Sequence, residues 1–466
     1  MPSAPVAAPA APAGTTQATG QRARVVWFAH FARAAAALVV LWARYISEFR
    51  AQDELVTQFT FTQPIALTDI PTSFMLTAYD WSREQLTIDL GAAAVGVFFV
   101  LSGFVIPFAL ERRTLPAYGI RRILRVYPTL WAVTGLTVLV VLVVSAWNLP
   151  YDFDRVWSQA ILVNQYVGAE NWVDPSYWTI PIEELFYVVA ALLAASRLMR
   201  RPWAIVLAAA AVSGLSLALG RVTPSADLAP GARPGWEFWT RFWLGRNLGF
   251  MTFIFVGVAL HMLYRRFWSR PTFVTVTAMV CGIYYFTLHN GPFKPPFLPA
   301  GDQATTYFRS FMLGLGVFLL FYWLADRLPK NQPIKVLGDI SYPIYLVGAV
   351  IGWAYLVFFT RAFGSYFLAL PVTVAAVLLT AYALHRLIEK PTMDFSQRFT
   401  AKPYFRKERS WSDEPKPWFR RRRSEAEPEP EPEPEVVVVP APPAARTDEE
   451  PGIPVLEHHS PHDQRS

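Results

Sequence analysis

The chain has 466 residues, of which 53% are hydrophobic and 17% charged, and a formal net charge of +7. A soluble domain carries about 25% charged residues, so this composition excludes an ordinary soluble enzyme. The basic excess would suit nucleic acid, but most arginines and lysines fall in short loops between apolar runs, the pattern of cytoplasmic membrane loops and not of a nucleic-acid-binding face.

In chain order the pattern predicts an all-α integral membrane protein, a bundle of about ten transmembrane helices. The apolar cores lie near 27–47, 88–110, 127–147, 178–196, 203–220, 242–264, 271–288, 305–325, 336–358 and 366–386. Each is close to the ~20 residues that cross a bilayer. Alternate connections hold Arg22/Arg24, Arg112/Arg113/Arg121/Arg122/Arg125, Arg197/Arg200/Arg201, Arg265/Arg266/Arg270, Arg327/Lys330/Lys335 and Arg386/Lys390. The other connections are longer and poorer in bases, and the first two carry Asp53, Glu54, Asp69, Asp80, Asp89, Asp152, Asp154, Glu170 and Asp174. An even number of spans with the basic set inside places both termini in the cytoplasm.

Three regions are expected. Residues 1–24 are Ala/Pro/Thr-rich without the basic start and apolar core of a signal peptide, and read as a disordered leader. Residues 25–398 form the membrane domain. Residues 399–466 read as a disordered cytoplasmic tail that joins the basic cluster Arg420 to Arg423 to an alternating Glu-Pro run from Glu427 to Glu435. Proline and charge repulsion keep such a run extended and solvated. The basic cluster suits anionic membrane lipids, each charge contributing about 1 kcal/mol there, and the tail is also a candidate contact for envelope-biosynthesis proteins. The single cysteine, Cys281, excludes an intramolecular disulfide. The scattered histidines lack metal-ligand spacing, so no permanently bound cofactor and no metal are expected.

Five local patterns carry candidate chemistry. The first, "FARAAAALVVLWARYISEF", puts Arg33 and Arg44 in a spanning run. Eleven residues correspond to three turns plus about 20°, so both side chains share a face roughly 16 Å apart along the axis. Charge at that depth marks function or a buried ion pair. The second, "GVFFVLSGFVI", offers the small pair Ser102-Gly103 for close helix packing. It is followed by "RRILRVYPTLW", where Arg122 and Arg125 share a face at i, i+3 beside Arg121. Such a pair either sets topology or holds the phosphates of a nucleotide-bearing donor. In the third, "YWTIPIEELFY", Glu183 and Glu184 are about 100° apart on a helix, so only one faces a given cavity. The inward one of the two is either ion-paired to Arg33 or Arg44 or acts on an acceptor hydroxyl. In the fourth, "LGDISYPIYL", Asp339, Ser341 and Tyr342 open a span that Asp339 or Ser341 would cap. The fifth, "RLIEKP", ends the last span, with Lys390 suited to a helix C-terminus and Pro391 stopping it.

The order and spacing of these patterns resemble the acyltransferase-3 family of multi-pass bacterial membrane proteins, over about residues 27 to 395. The resemblance implies a plasma-membrane enzyme that transfers an acyl group, with acyl-CoA as donor, to a hydroxyl of an envelope glycan or glycolipid acceptor. It implies coenzyme A contacts at Arg122 and Arg125, an acidic site residue at Glu183 and a first-span site residue at Arg33. It also implies a histidine ten residues beyond Arg33 and another after a Ser-Tyr-x-x-Tyr-Leu stretch, where this chain has Arg44 and Gly348. An arginine does not accept a proton near neutral pH. Of the seven histidines, His458, His459 and His462 lie in the tail, His289 in an outer loop, and His261 and His385 near cytoplasmic span ends. His30 lies on the first helix some 20 Å from Arg44. Two readings stay open: an acyltransferase in which Glu183 or an unidentified base activates the acceptor, and a catalytically inactive scaffold, regulator or glycolipid translocation factor in which Arg44 is a fixed charge.

Overall fold

The computed structural model of the protein describes residues 27–49, 53–63, 74–111, 113–145, 147, 151–167, 172–220, 235–293 and 303–396. The leader, the tail with Arg420 to Arg423 and the Glu-Pro run, and the loop residues Arg22, Arg24, Arg112, Asp69 and Glu170 lie outside the described residues. Every regular element among the described residues is helical, which makes this an all-α, multi-pass membrane protein.

Among the described residues eight helices are long and apolar enough to cross a bilayer: Leu90–Glu111, Leu115–Val144, Pro175–Ala195, Pro202–Gly220, Trp236–Tyr264, Arg270–Asn290, Gln303–Trp323 and Tyr366–Ser396. They match eight of the ten expected runs. The expected 336–358 span is not continuous. It comprises Gln332–Asp339, Ser341–Val347 and Val350–Phe363, and the last two are bent by 63°, so together they make a ninth crossing only if they act as one span. Pro343 explains the break at Ile340, because it has no N–H to donate to the Asp339 carbonyl one turn back. The expected caps are therefore absent. Asp339 is the last residue of its helix, and its carboxylate lies 3.3 Å from His30 Nδ1 and 3.2 Å from Lys335 Nζ. Ser341 Oγ donates back to the Gly338 carbonyl at 2.8 Å.

The first expected span is an α-helix, Trp27–Trp42, that passes directly into a π-helical turn, Ala43–Glu48. A π turn leaves carbonyls underused, and two side chains from the far end of the chain answer them. Trp353 Nε1 donates to the Arg44 carbonyl at 3.4 Å and Tyr366 Oη to the Tyr45 carbonyl at 2.8 Å. The last span also contains a π turn, His385–Glu389, and runs on through Lys390–Ser396. Pro391 therefore does not stop it. The widened turn, in which Lys390 N–H reaches the His385 carbonyl, makes room for the proline ring that would collide with a regular α turn.

The Trp236–Tyr264 helix is almost wholly buried and packs against Leu90–Glu111, Pro202–Gly220 and Arg270–Asn290. Asp89 starts Leu90–Glu111 by accepting from Ala92 N–H at 2.8 Å. That helix then crosses Trp236–Tyr264 at Gly103 and Gly257, where a Cβ on either glycine would run into the other helix's backbone. Gly314 meets the backbone of Ala93 and Gly96 in the same manner. Without a hydrophobic effect inside lipid, such backbone approach supplies the packing energy.

Replacing Gly103 by Leu should lower the thermal midpoint of the detergent-solubilised protein, since overpacking a tight contact costs about 1–3 kcal/mol or more. Gly282→Ala, where a Cβ meets nothing within 4 Å, should leave the midpoint unchanged or raise it, by up to about 1 kcal/mol of helix propensity. Equal midpoints for Gly103→Leu and the parent would refute the close crossing.

Candidate functional site

A partly open cavity with about 870 Å³ of empty space lies between Trp27–Trp42, Leu90–Glu111, Leu115–Val144, Ile180–Ala195 and Ser341–Val347. Its polar lining includes Arg33, Ser102, Arg122, Arg125, Glu183 and Tyr187, and its apolar walls include Phe98, Phe99, Val105 and Tyr345. Four of the six site residues read from the sequence, Arg33, Arg122, Arg125 and Glu183, thus meet in one place.

Glu183 is the inward carboxylate. Its Oε1 accepts from Ser102 Oγ at 2.6 Å and its Oε2 from Tyr187 Oη at 2.7 Å. Tyr187 is one turn further along the same helix, so the i, i+4 spacing sets the second contact. Glu184 is not part of the cavity lining. Among the described residues no ion pair joins Glu183 to Arg33 or Arg44.

The three cavity arginines have no ion-pair partner among the described residues. The Arg122 guanidinium carbon stands 4.7 Å from the Tyr187 ring centroid and 5.3 Å from that of Tyr118, so aromatic faces, not a carboxylate, hold it. Arg125 follows on the same face, and Arg121, about 100° round the helix, is outside the lining. The cavity therefore presents three guanidinium groups and one carboxylate whose bonds are all to neutral hydroxyls. Such an arrangement suits an anion-bearing ligand beside a proton acceptor.

Arg44 is elsewhere. It is 5% exposed and lies behind Tyr345, with Nη1 donating to the Tyr345 carbonyl at 2.7 Å and the guanidinium carbon 4.9 Å from the Tyr345 ring centroid. Tyr345 Oη in turn donates to the Ser176 carbonyl at 2.5 Å and accepts from Thr179 Oγ1 at 2.9 Å. A Cβ on Gly348 would come within 3.0 Å of Arg44 Nη1 and run into Leu41. The two positions at which the resemblance implies histidines are neighbours, and the Arg44 guanidinium occupies the space over the glycine.

Asp174, read from the sequence as an outer-loop acid, is fully buried beside this arginine. Its Oδ1 accepts from Ser176 N–H at 2.8 Å and from Ser176 Oγ, and its Oδ2 from Val350 N–H at 3.3 Å. It caps the 3₁₀ turn Pro175–Thr179 that leads into the Glu183 helix. The Asp-Pro-Ser signature of a helix start was the available signal. Ser102 was read only as a packing residue, while Tyr187 and Tyr345 were not singled out. The described histidines serve structure. His30 faces Asp339, His261 lies between the Phe104 carbonyl and Glu111, His289 contacts Tyr285 and Thr305, and His385 contacts Glu389. None lines the cavity.

Fold and site together define a multi-pass membrane protein with a cationic intramembrane cavity built around a single carboxylate. A family model described as an acyltransferase domain matches residues 26–386, and the chain belongs to the acyltransferase-3 family. Among curated proteins it is similar to the exopolysaccharide production protein ExoZ of Rhizobium meliloti, 29% identical over 270 residues, covering 55% of this chain and 75% of that one. It is also similar to the acyltransferase MdmB of Streptomyces mycarofaciens, 26% identical over 339 residues, covering 65% and 81%. No solved structure matches.

The contrast between the two first-helix arginines is measurable. Arg44→Gln should destabilise the protein strongly, by the ~3–5 kcal/mol typical of removing one partner from a buried charge arrangement. Arg33→Gln, which breaks no ion pair, should leave the thermal midpoint close to that of the parent. Comparable losses for both would contradict the assignment of Arg33 to the cavity and Arg44 to the scaffold.

Proposed function

We propose that the protein is an O-acyltransferase that moves an acyl group from an acyl-CoA to a hydroxyl of a cell-envelope glycan or glycolipid. The observation that carries this reading is the placement of Glu183 in one cavity with three guanidinium groups that no carboxylate neutralises. Arg122 and Arg125 suit the phosphates of the donor, because charge-assisted bonds to oxyanions are the strong ones. Two of the roughly four lone-pair positions of the Glu183 carboxylate are taken by Ser102 and Tyr187. The remainder can accept the proton of an acceptor hydroxyl.

In this scheme the hydroxyl oxygen attacks the thioester carbonyl, the new C–O bond forms and the C–S bond breaks. The hydroxyl proton passes to Glu183 and from there to the departing thiolate. Arg33, which shares the cavity lining, stabilises the oxyanion of the tetrahedral intermediate in this scheme. In a bacterial plasma membrane with both termini cytoplasmic, the Arg122/Arg125 end faces the compartment that holds soluble acyl-CoA. The acyltransferase relative supports the reaction class, and the relative named for exopolysaccharide production supports a glycan acceptor. The absence of a histidine from the lining favours a second reading, a scaffold or glycolipid translocation factor that binds the donor or a lipid headgroup without turnover.

Purified protein in lipid nanodiscs, given radiolabelled acetyl-CoA or longer acyl-CoAs and envelope extract, should transfer label to acceptor. Glu183→Gln should lower transfer about 10²–10⁴-fold, the range for loss of a general base, with coenzyme A binding retained. Turnover that survives Glu183→Gln would remove Glu183 from the role of base. Coenzyme A binding without transfer to any acceptor in the extract would favour the scaffold. Arg122→Ala and Arg125→Ala should each raise the KM for donor by about tenfold or more.

A further inference from the structure

The first half of the Trp236–Tyr264 helix carries a second buried cation that the acyl-transfer scheme does not use. Arg246 is 7% exposed and forms no ion pair among the described residues. Its Nη2 donates to Tyr307 Oη at 3.2 Å, and its Nε has no partner. Its guanidinium carbon stands 5.4, 5.5 and 5.7 Å from the ring centroids of Trp243, Phe250 and Tyr307. A charge inside a spanning helix is costly, and one lacking a counter-charge marks a functional site by default.

Around it lie further polar groups without partners. Asn247 is fully buried, and while its Nδ2 donates to Tyr166 Oη at 3.0 Å, its Oδ1 accepts nothing. Gln165, adjacent to Tyr166 and 1% exposed, has no close hydrogen-bond partner on its amide beyond the neighbouring Tyr166 hydroxyl. The indole N–H of Trp243 has no acceptor. Buried polar groups are as a rule hydrogen-bonded, so each exception calls for an occupant or a role. Here the exceptions form a set: guanidinium and indole donors, amide donors and acceptors, and aromatic faces. Such a combination grips hydroxyls and an oxyanion while stacking on an apolar ring face.

We propose that this cluster is an acceptor subsite for an anionic saccharide. The carboxylate or phosphate of the sugar pairs with Arg246, its hydroxyls bond to Asn247 and Gln165, and its C–H face rests on Trp243. The inference rests on the proposed transfer to a glycan and deepens it. The connection to the cavity is an aromatic wall. Phe250 lies 5.0 Å from Tyr307 and 5.1 Å from Trp178, and Trp178 lies 6.5 Å from Phe99, whose side chain lines the Glu183 cavity. These ring contacts join the wall behind Arg246 to the wall of the Glu183 cavity. Arg246 is a positioning residue in this scheme and touches no reacting atom.

The test uses the full chain in nanodiscs, titrated by calorimetry with three disaccharides ending respectively in glucuronate, in a sugar phosphate and in a neutral hexose. At least one anionic disaccharide should bind about tenfold or more tightly than the neutral one, as expected for one charge-assisted contact. Whether the glucuronate or the phosphate arm shows the gain identifies the oxyanion. Arg246→Gln should abolish the preference while coenzyme A binding stays within about twofold. Should Arg246→Gln fail to fold, Gln165→Ala keeps the charge and should weaken anionic and neutral disaccharides alike. Absence of an anionic preference in the parent, or a preference that survives in folded Arg246→Gln, overturns the subsite. The two readings fail separately: anionic preference without acyl transfer sinks the reaction and keeps the subsite, and transfer without the preference does the reverse.

Discussion

The cavity depends on how one carboxylate is held. Glu183 is bonded by two neutral hydroxyls, Ser102 and Tyr187, rather than by any of the three guanidinium groups that share its cavity. Hydrogen bonds to a charged group contribute about 1.5–3 kcal/mol each, enough to keep the carboxylate in place without a cation. Had Arg33 or Arg122 closed on Glu183, two opposite charges would have cancelled, leaving less to attract an anion and less to accept a proton. The arrangement is assembled by helix packing. The backbone contact between Gly103 and Gly257 fixes the depth of the Leu90–Glu111 helix, and Ser102, about 100° round from Gly103, then meets Glu183. Tyr187 couples the two halves of the site, since its hydroxyl bonds Glu183 and its ring faces Arg122.

The interior tolerates its remaining charges by giving each a separate kind of compensation. Arg44 has a carbonyl and an aromatic face, and Asp174 beside it has two serine donors and the first amide of the Val350–Phe363 helix. Glu111 is bracketed by His261 and Arg265 at 3.3 and 3.1 Å. These groups are saturated and structural. The cavity arginines and Arg246 are the exceptions, and they stand at the two ends of the aromatic series formed by Phe99, Trp178 and Phe250.

The sequence disclosed those parts of the site whose chemistry and spacing are local. Arg122 and Arg125 share a face by i, i+3 spacing and Gly103 makes a close crossing, while the family resemblance, not local spacing, pointed to Glu183 over Glu184 as the inward carboxylate. Arg33 was legible because charge in an apolar run is rare. What stayed hidden depends on contacts between distant segments. Asp174 looked like one acid among several in a polar loop, and its burial follows from the amide of Val350, 176 residues away. Arg246 was not singled out, because its isolation is visible only once Gln165, Tyr166 and Tyr307 are brought beside it. The broken 336–358 segment and the helix that continues past Pro391 show prolines acting in opposite ways. Pro343 interrupts a ladder, whereas Pro391 is absorbed by a π turn.

Arg44 and Gly348 are sterically coupled. The guanidinium fills the volume that a side chain at position 348 would need, and the glycine in turn leaves the guanidinium its bond to the Tyr345 carbonyl. Restoring a histidine at either position alone would therefore leave a void or a collision, so neither change by itself rebuilds the pair that the family resemblance implies. The electrostatic consequence is larger than the steric one. Asp174 faces a permanent cation, and an arginine neither gains nor loses a proton near neutral pH. On the proposed scheme the region behind Tyr345 takes no part in proton transfer, and its bonds to Ser176 and Thr179 orient the Pro175–Thr179 turn. On the proposed scheme the proton must then be handled on the cavity side of Tyr345, where Glu183 is the carboxylate in the lining.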